Sequence, residues 1–256
     1  MRLQSAATAG PAKPENRIEP TIPALRPITL VEQVVDAFVK AAAEGQILPG
    51  DSIVEADLAK ALNVSRVPVR EALRLLESQG IVVYTPYRGM RLMDVDAKRL
   101  HDILVVRTSL EQLAVKEVQA AYRRDPRIAA EMEVALAGMK RAADEQDAFA
   151  MARTDEAFHR ALCTATGNDA LLQIWEALAR KLTIIFGLGA LQKDNHTIYR
   201  QHVELFEAIK QAGVKTLDKA VFDHVVRYTE MVDFDAVIAE QRLKRNRLTV
   251  VAGDAG

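Results

Sequence analysis

Cysteine is almost missing. Cys163 is the only one in 256 residues, so no disulfide can close within one chain and no zinc-finger spacing exists. That fits a reducing cytoplasm, the localisation expected here. Aromatic residues make up only 5%, and nine prolines and twelve glycines are few for this length. With alanine and leucine plentiful, a mostly helical protein is favoured. No apolar run is long enough to span a bilayer, so no membrane partner is expected. Arg2 is not followed by a continuous apolar stretch, which argues against a secretory signal. An excess of positive charge is missing too: 34 Lys and Arg stand against 35 Asp and Glu, for a net charge of −1. A protein that gripped nucleic acid over its whole surface would be basic. Any such field in this chain must be local.

The length allows two domains with cores of their own. Hydrophobic residues at 49% and charged residues at 27% are ordinary for a globular protein. Residues 1–27 carry five prolines and little periodicity, and are read as a disordered tail. Thr29 is placed to cap a helix from Leu30 to about Glu44, whose apolar face is Val31, Val34, Val35, Phe38 and Val39.

Two short amphipathic helices follow. Glu55 to Leu62 has an apolar stripe of Leu58, Ala59 and Leu62. Asn63-Val64-Ser65 is a turn, with Ser65 at the N-cap of a helix from Arg66 to about Gln79, and Gly80 stops it. Val69, Leu73 and Leu76 form the back of that helix, while Arg66, Arg70 and Arg74 recur every four residues on another face. Such a stripe suits the DNA major groove, where arginine grips guanine with two hydrogen bonds. It also suits an ordinary solvated face. Ile81 to Tyr84 and Met90 to Met93 are β-rich runs around a turn at Tyr87-Arg88-Gly89. A hairpin after a recognition helix is a wing, and Arg88 and Gly89 at its tip would face the sugar-phosphate backbone or minor groove.

From Asp94 the pattern turns to helical periodicity. Residues 94–97 read as a linker, 98–242 as a helical bundle, and 243–256 as a C-terminal tail frayed from Asn246. Six helices are expected: about Asp96–Tyr122, Pro126–Ala143, Asp147–Thr166, Asp169–Gly187, Asn195–Gln211 and Lys215–Arg242. The fold class is therefore mainly α, an N-terminal winged helix-turn-helix over 28–93 plus a C-terminal all-α bundle.

Five histidines are present. Asp155 and His159 lie four apart on one helix and point the same way. His202 and His224 take core-facing registers on the fifth and sixth of these helices. One carboxylate and three imidazoles converging inside a bundle would bind a divalent transition metal: zinc, nickel, manganese or iron. Each taken alone also fits a core histidine with a hydrogen-bond partner. His101 and His196 read as structural or solvated.

The order Pro49-Gly50-Asp51, Glu55 to Ala59, Asn63 to Leu76, Gly80 to Val82 and Arg88-Gly89 resembles the winged helix-turn-helix of GntR-type regulators. The resemblance implies DNA contacts from Ser65, Arg66, Val67, Arg70 and Gly89, joined by Arg74 and Arg88 on charge pattern. It departs at Ala56, where an arginine that touches DNA is common. Asp155 to Leu171, Gln201 to Lys210 and Ala220 to His224 resemble the ligand-binding FCD domain of the FadR branch. That implies metal ligands at Asp155, His159, His202 and His224, with Gln201 where an acid is common. Six helices would place the bundle near the VanR-like subgroup. Arg107 opens a segment similar to the family's R-x-x-L-E, whose arginine meets an effector carboxylate. An i,i+4 surface ion pair with Glu111 is the other reading of Arg107.

These features imply a dimeric regulator of transcription. Its partners would be double-stranded operator DNA and a small carboxylic acid. Repression relieved by the effector is the commoner pattern. A metal-dependent enzyme on the bundle, or a bundle that only dimerises, are the alternatives.

Overall fold

The computed structural model describes residues 29–211, 213–230 and 232–253, so the N-terminal tail lies outside the described residues. Chain order is α1 (Leu30–Ala43), β1 (Ser52–Ile53), α2 (Glu55–Ala61), α3 (Arg66–Ser78), β2 (Val82–Thr85) and β3 (Gly89–Leu92), followed by a run of helices. These are α4 (Ala97–Tyr122), α5 (Ala130–Asp144) after a 3-10 turn at Pro126–Ala129, α6 (Ala148–Thr164), α7 (Asp169–Ala190), α8 (Asn195–Gln211), α9 (Val214–Glu230) and α10 (Phe234–Gly253).

Local chemistry sets these boundaries. Thr29 and Glu32 form a reciprocal capping box at α1. Between α2 and α3 the chain must turn sharply. Asn63 supplies the left-handed residue (φ 52°), and Val64 N–H bonds back to Ala59 O at 3.0 Å. Gly80 (φ 66°) ends α3 the same way: Ile81 N–H reaches Leu76 O at 2.9 Å, and the buried Ile81 side chain completes the motif. Pro68, Val69, Ala72, Leu73 and Leu76 bury the inner face of α3. Ser65 occupies the N-cap position with extended backbone, but its side chain makes no capping bond. Its hydroxyl is left for another acceptor or donor.

The wing is a three-stranded antiparallel sheet in the order β1-β3-β2, with Val82 opposite Leu92 and Thr85 opposite Gly89. The two-residue β1 carries too short a pattern to be read from sequence.

The winged segment is not tethered loosely. α1 packs on α7, and one buried apolar core runs from α1 and α3 through the bundle. At the crossing, a Cβ on Gly187 would sit 2.5 Å from the Ala43 Cβ and 2.9 Å from its carbonyl oxygen. Only glycine permits that approach. This corrects the expectation that the helix from Asp169 ends at Gly187: α7 runs on through Gly189 to Ala190. The glycine serves packing rather than a turn.

Two further corrections concern the C-terminal end. The helix expected over Lys215–Arg242 is two, α9 and α10, so the bundle has seven helices among the described residues, and the six-helix count that pointed to the VanR-like subgroup is not met. No glycine or proline marks the break. Asp233 does, capping α10 by accepting from Ala236 N–H at 2.9 Å. The end expected to fray from Asn246 is helical to Gly253. α10 lies along the winged segment, where Arg242 donates to Pro49 O at 2.9 Å and Arg245 pairs with Asp51. Burial pushes the Asp51 carboxyl up, but Arg245 and the Leu48 N–H outweigh it and hold it below the usual range.

Candidate metal centre and DNA-binding face

Four helices surround a buried polar cluster. Arg107 and Glu111 come from α4, Asp155 and His159 from α6, His202 from α8 and His224 from α9. The i,i+4 spacing of the first two pairs turns each inward on consecutive turns. Arg107, Glu111, His159 and His202 are each at most 2% exposed.

The three imidazoles meet through Nε2. His159 Nε2 is 3.2 Å from His202 Nε2 and 3.2 Å from His224 Nε2. Asp155 Oδ1 is 2.9 Å from His202 Nε2 and 3.9 Å from His159 Nε2. The structure thus brings together all four residues singled out from the sequence. His196 stands apart on the surface, 3.9 Å from Asp144. His101 lines a separate cavity of about 460 Å³ between α4 and α10.

The outward ring nitrogens assign the tautomers. His202 Nδ1 lies 2.9 Å from Ile198 O, which can only accept, so Nδ1 carries a proton, while Nε2 faces Asp155 Oδ1 at 2.9 Å and the other imidazoles. His159 Nδ1 lies 3.0 Å from Glu111 Oε2, close but turned off the line of a full hydrogen bond. A proton facing that carboxylate leaves His159 Nε2 bare. Three ring nitrogens and a carboxylate oxygen therefore converge, a donor set suited to a metal cation. Burial disfavours a proton: it pushes His159 down, and with the neighbouring His202, His159 and Arg107 it pushes His224 further down. A metal cation fits. Two nitrogens on one first-row metal at about 2.1 Å lie about 3.0–3.4 Å apart, and these lie 3.2 Å apart.

Arg107 and Glu111 do pair, but not on the surface. Arg107 Nε donates to Glu111 Oε1 at 2.7 Å in the interior. Trp175 Nε1 of α7 donates to the same oxygen at 3.3 Å. The guanidinium lies over the Phe186 ring of α7 at 4.7 Å. Burial alone would raise the Glu111 carboxyl; Arg107 and His159 reverse that and hold it far below the usual range. Burial is likewise outweighed at Asp155, by His202 and Arg107. Arg107 Nη2 is buried without a hydrogen-bond partner, 3.9 Å from Asp155 Oδ2. A buried donor left open beside the cluster is a place for a ligand's oxygen. Helical spacing points to neither Trp175 nor Phe186, and it leaves the Arg107–Glu111 pair as a surface alternative.

The second face is on the winged segment. Val67 is exposed at the start of α3, with Arg66 beside it. Arg70 is held by Glu55 of α2 through Nε (3.0 Å) and Nη2 (2.8 Å), and Arg74 pairs with Glu71 at 2.8 Å. The stripe of arginines is thus present, but two of its three members carry acid partners. Glu55 takes the Nε–Nη2 edge of the Arg70 guanidinium. At the wing, Tyr87 projects fully into solvent and Arg88 follows it. Gly89 opens β3 at φ 72° with open space around it. Tyr87, like Glu55, is not singled out by the sequence pattern.

A profile described as bacterial regulatory proteins, gntR family, matches residues 30–92, and an FCD domain profile matches residues 102–227. The Nta operon transcriptional regulator of Aminobacter aminovorans is 32% identical over 184 residues, covering 72% of this chain and 85% of the relative. The chain belongs to the GntR family. It is a transcriptional regulator of that family with a C-terminal FCD domain. The probable D-xylose utilization operon transcriptional repressor of Paenarthrobacter nicotinovorans is 26% identical, over 78% of this chain and 87% of the relative. The solved structure of E. coli McbR/YncC shares the fold, with a TM-score of 0.64 at 20% identity, over 84% of this chain and 99% of that one. The matched proteins are regulators of transcription rather than enzymes.

Proposed function

We propose that this GntR regulator is a dimeric repressor whose operator affinity is set by a small carboxylate held at a metal centre in the FCD domain. The observation that carries the reading is the convergence of three Nε2 atoms and Asp155 beside the unpartnered Arg107 Nη2. Asp155, His159, His202 and His224 would hold a divalent metal: zinc, nickel, manganese or iron. The metal would supply positive charge for a carboxylate oxygen. Arg107 Nη2 would take another oxygen of the same ligand. A ligand that favours one arrangement of the two domains shifts operator occupancy by its difference in affinity for the two.

Residues 28–93 would form the DNA-binding domain, 94–97 the linker and 98–242 the effector domain. DNA contacts are assigned to Ser65, Arg66, Val67, Arg70, Arg74, Arg88 and Gly89. The near-zero charge of the winged segment, eight basic against eight acidic residues from Arg26 to Met93, favours two copies acting together on a pseudo-palindromic operator. Exposed Val106 and Leu113 on α4, seven residues apart, give the bundle an apolar face for a second copy. Among the described residues, no helix is long and apolar enough to cross a membrane, consistent with the expected cytoplasmic location.

The test uses duplexes selected by the protein itself from random sequence. At fixed salt, Arg70→Ala is expected to weaken binding by about 1–3 kcal/mol through loss of a bidentate base contact. Operator affinity equal to the parent's would remove Arg70 from the reading surface. Added carboxylate should release the metal-loaded protein from the selected duplex and leave the metal-free protein bound.

A further inference from the structure

We infer that Glu111 is a positioning residue that sets the charge of ligand the centre accepts, so that the effector is a monoanion. The inference rests on the metal-centre reading above.

Glu111 divides its two oxygens. Oε1 receives Arg107 Nε at 2.7 Å and Trp175 Nε1 at 3.3 Å. Oε2 faces His159 Nδ1 at 3.0 Å. One carboxylate therefore holds the arginine that would meet the ligand and lies against the imidazole that would meet the metal. A carboxylate behind a ligating histidine holds the tautomer and the ring orientation. Nε is occupied by Glu111 and the guanidinium lies over the Phe186 ring, while Nη2, buried without a hydrogen-bond partner, lies on the side of Asp155.

The same residue fixes the charge. Buried charge must be compensated within its own cluster. Glu111 cancels Arg107 within a direct ion pair. Imidazoles that bind a metal are neutral, and the neighbouring Cys163 thiol is pushed by burial toward its protonated form. Asp155 alone then leaves one negative charge, and a divalent cation turns the total to one positive. A single negative charge on the ligand completes the cluster. A second would be buried without a partner. Neutralising Glu111 frees the charge of Arg107 and raises the demand to two.

The full-length zinc-loaded protein is titrated calorimetrically with succinate and with its monoamide, which match in size and differ by one charge. The wild type is expected to bind the monoamide at least tenfold more tightly. In Glu111→Gln the ratio should move toward succinate by tenfold or more, and zinc affinity should fall roughly 10–100-fold as outer-shell partners are lost. Trp175→Phe keeps the charge and should leave the ligand ratio where it was. A Glu111→Gln chain that does not fold leaves the wild-type ratio as the deciding number. Succinate bound as tightly as the monoamide by the wild type would overturn the inference while leaving the metal centre standing. So would a ratio unmoved in a folded Glu111→Gln. Stoichiometric zinc with neither ligand bound would overturn the carboxylate reading itself, and this inference with it.

Discussion

Gly187→Leu is expected to force the winged segment off the bundle. Any side chain at 187 meets the Ala43 Cβ at 2.5 Å and the Ala43 backbone at 2.9 Å. Those neighbours lie in the last turn of α1 and cannot swing aside as a long side chain could. Even Gly187→Ala should destabilise, against the usual gain of roughly 0.5–1 kcal/mol for alanine over glycine inside a helix. Leucine overpacks the crossing, at a cost of about 1–3 kcal/mol or more. For a chain of this size that lowers Tm by roughly 2–4 °C for each kcal/mol. The site also matters for signalling. Phe186, one residue earlier on α7, lies under the Arg107 guanidinium, so α7 touches both the arginine proposed to meet the ligand and the first helix of the winged segment. A displaced crossing should therefore weaken the link between carboxylate and operator release along with stability. Scanning calorimetry and operator titration check both. An alanine variant at least as stable as its parent would show that the crossing relaxes freely and that the two parts are not locked there.

His159→Ala is expected to remove the metal. His159 Nε2 is the hub of the cluster, 3.2 Å from both other histidines. Loss of an outer-shell partner alone costs about 10–100-fold in metal affinity, and loss of the hub ligand should cost more. Carboxylate response should vanish with it, while the selected duplex is still bound, since α3 and the wing are untouched. His101→Ala, on an exposed residue outside the cluster, should change neither. Stoichiometric metal in His159→Ala would refute the ligand set.

Local signals in the sequence carry much of the fold. The capping box of Thr29 and Glu32, the left-handed stop at Gly80 and the apolar backs of α1 and α3 are such signals, and the chain obeys them. The convergence of Asp155, His159, His202 and His224 follows from helical register together with family resemblance. What stays hidden in the sequence depends on packing between distant segments. Gly187 looks like a helix breaker until Ala43 is seen against it. Arg107 and Glu111 have the spacing of a surface ion pair, and only the burial of α4 under α6 and α7 turns the pair inward. Glu55 lies fifteen residues before Arg70, so their bidentate contact has no periodicity to announce it. The division of the last helix rests on Asp233, an aspartate among many.

The central claim is that the histidine cluster is a metal centre. Elemental analysis of the full-length protein, as purified and after EDTA and reloading, tests it most directly. One equivalent of a divalent transition metal per chain, removable and restorable, is the result predicted. Failure to take up metal from zinc, nickel, manganese or iron, with the fold intact, would contradict it and leave three clustered imidazoles as structural residues of a dimerising bundle.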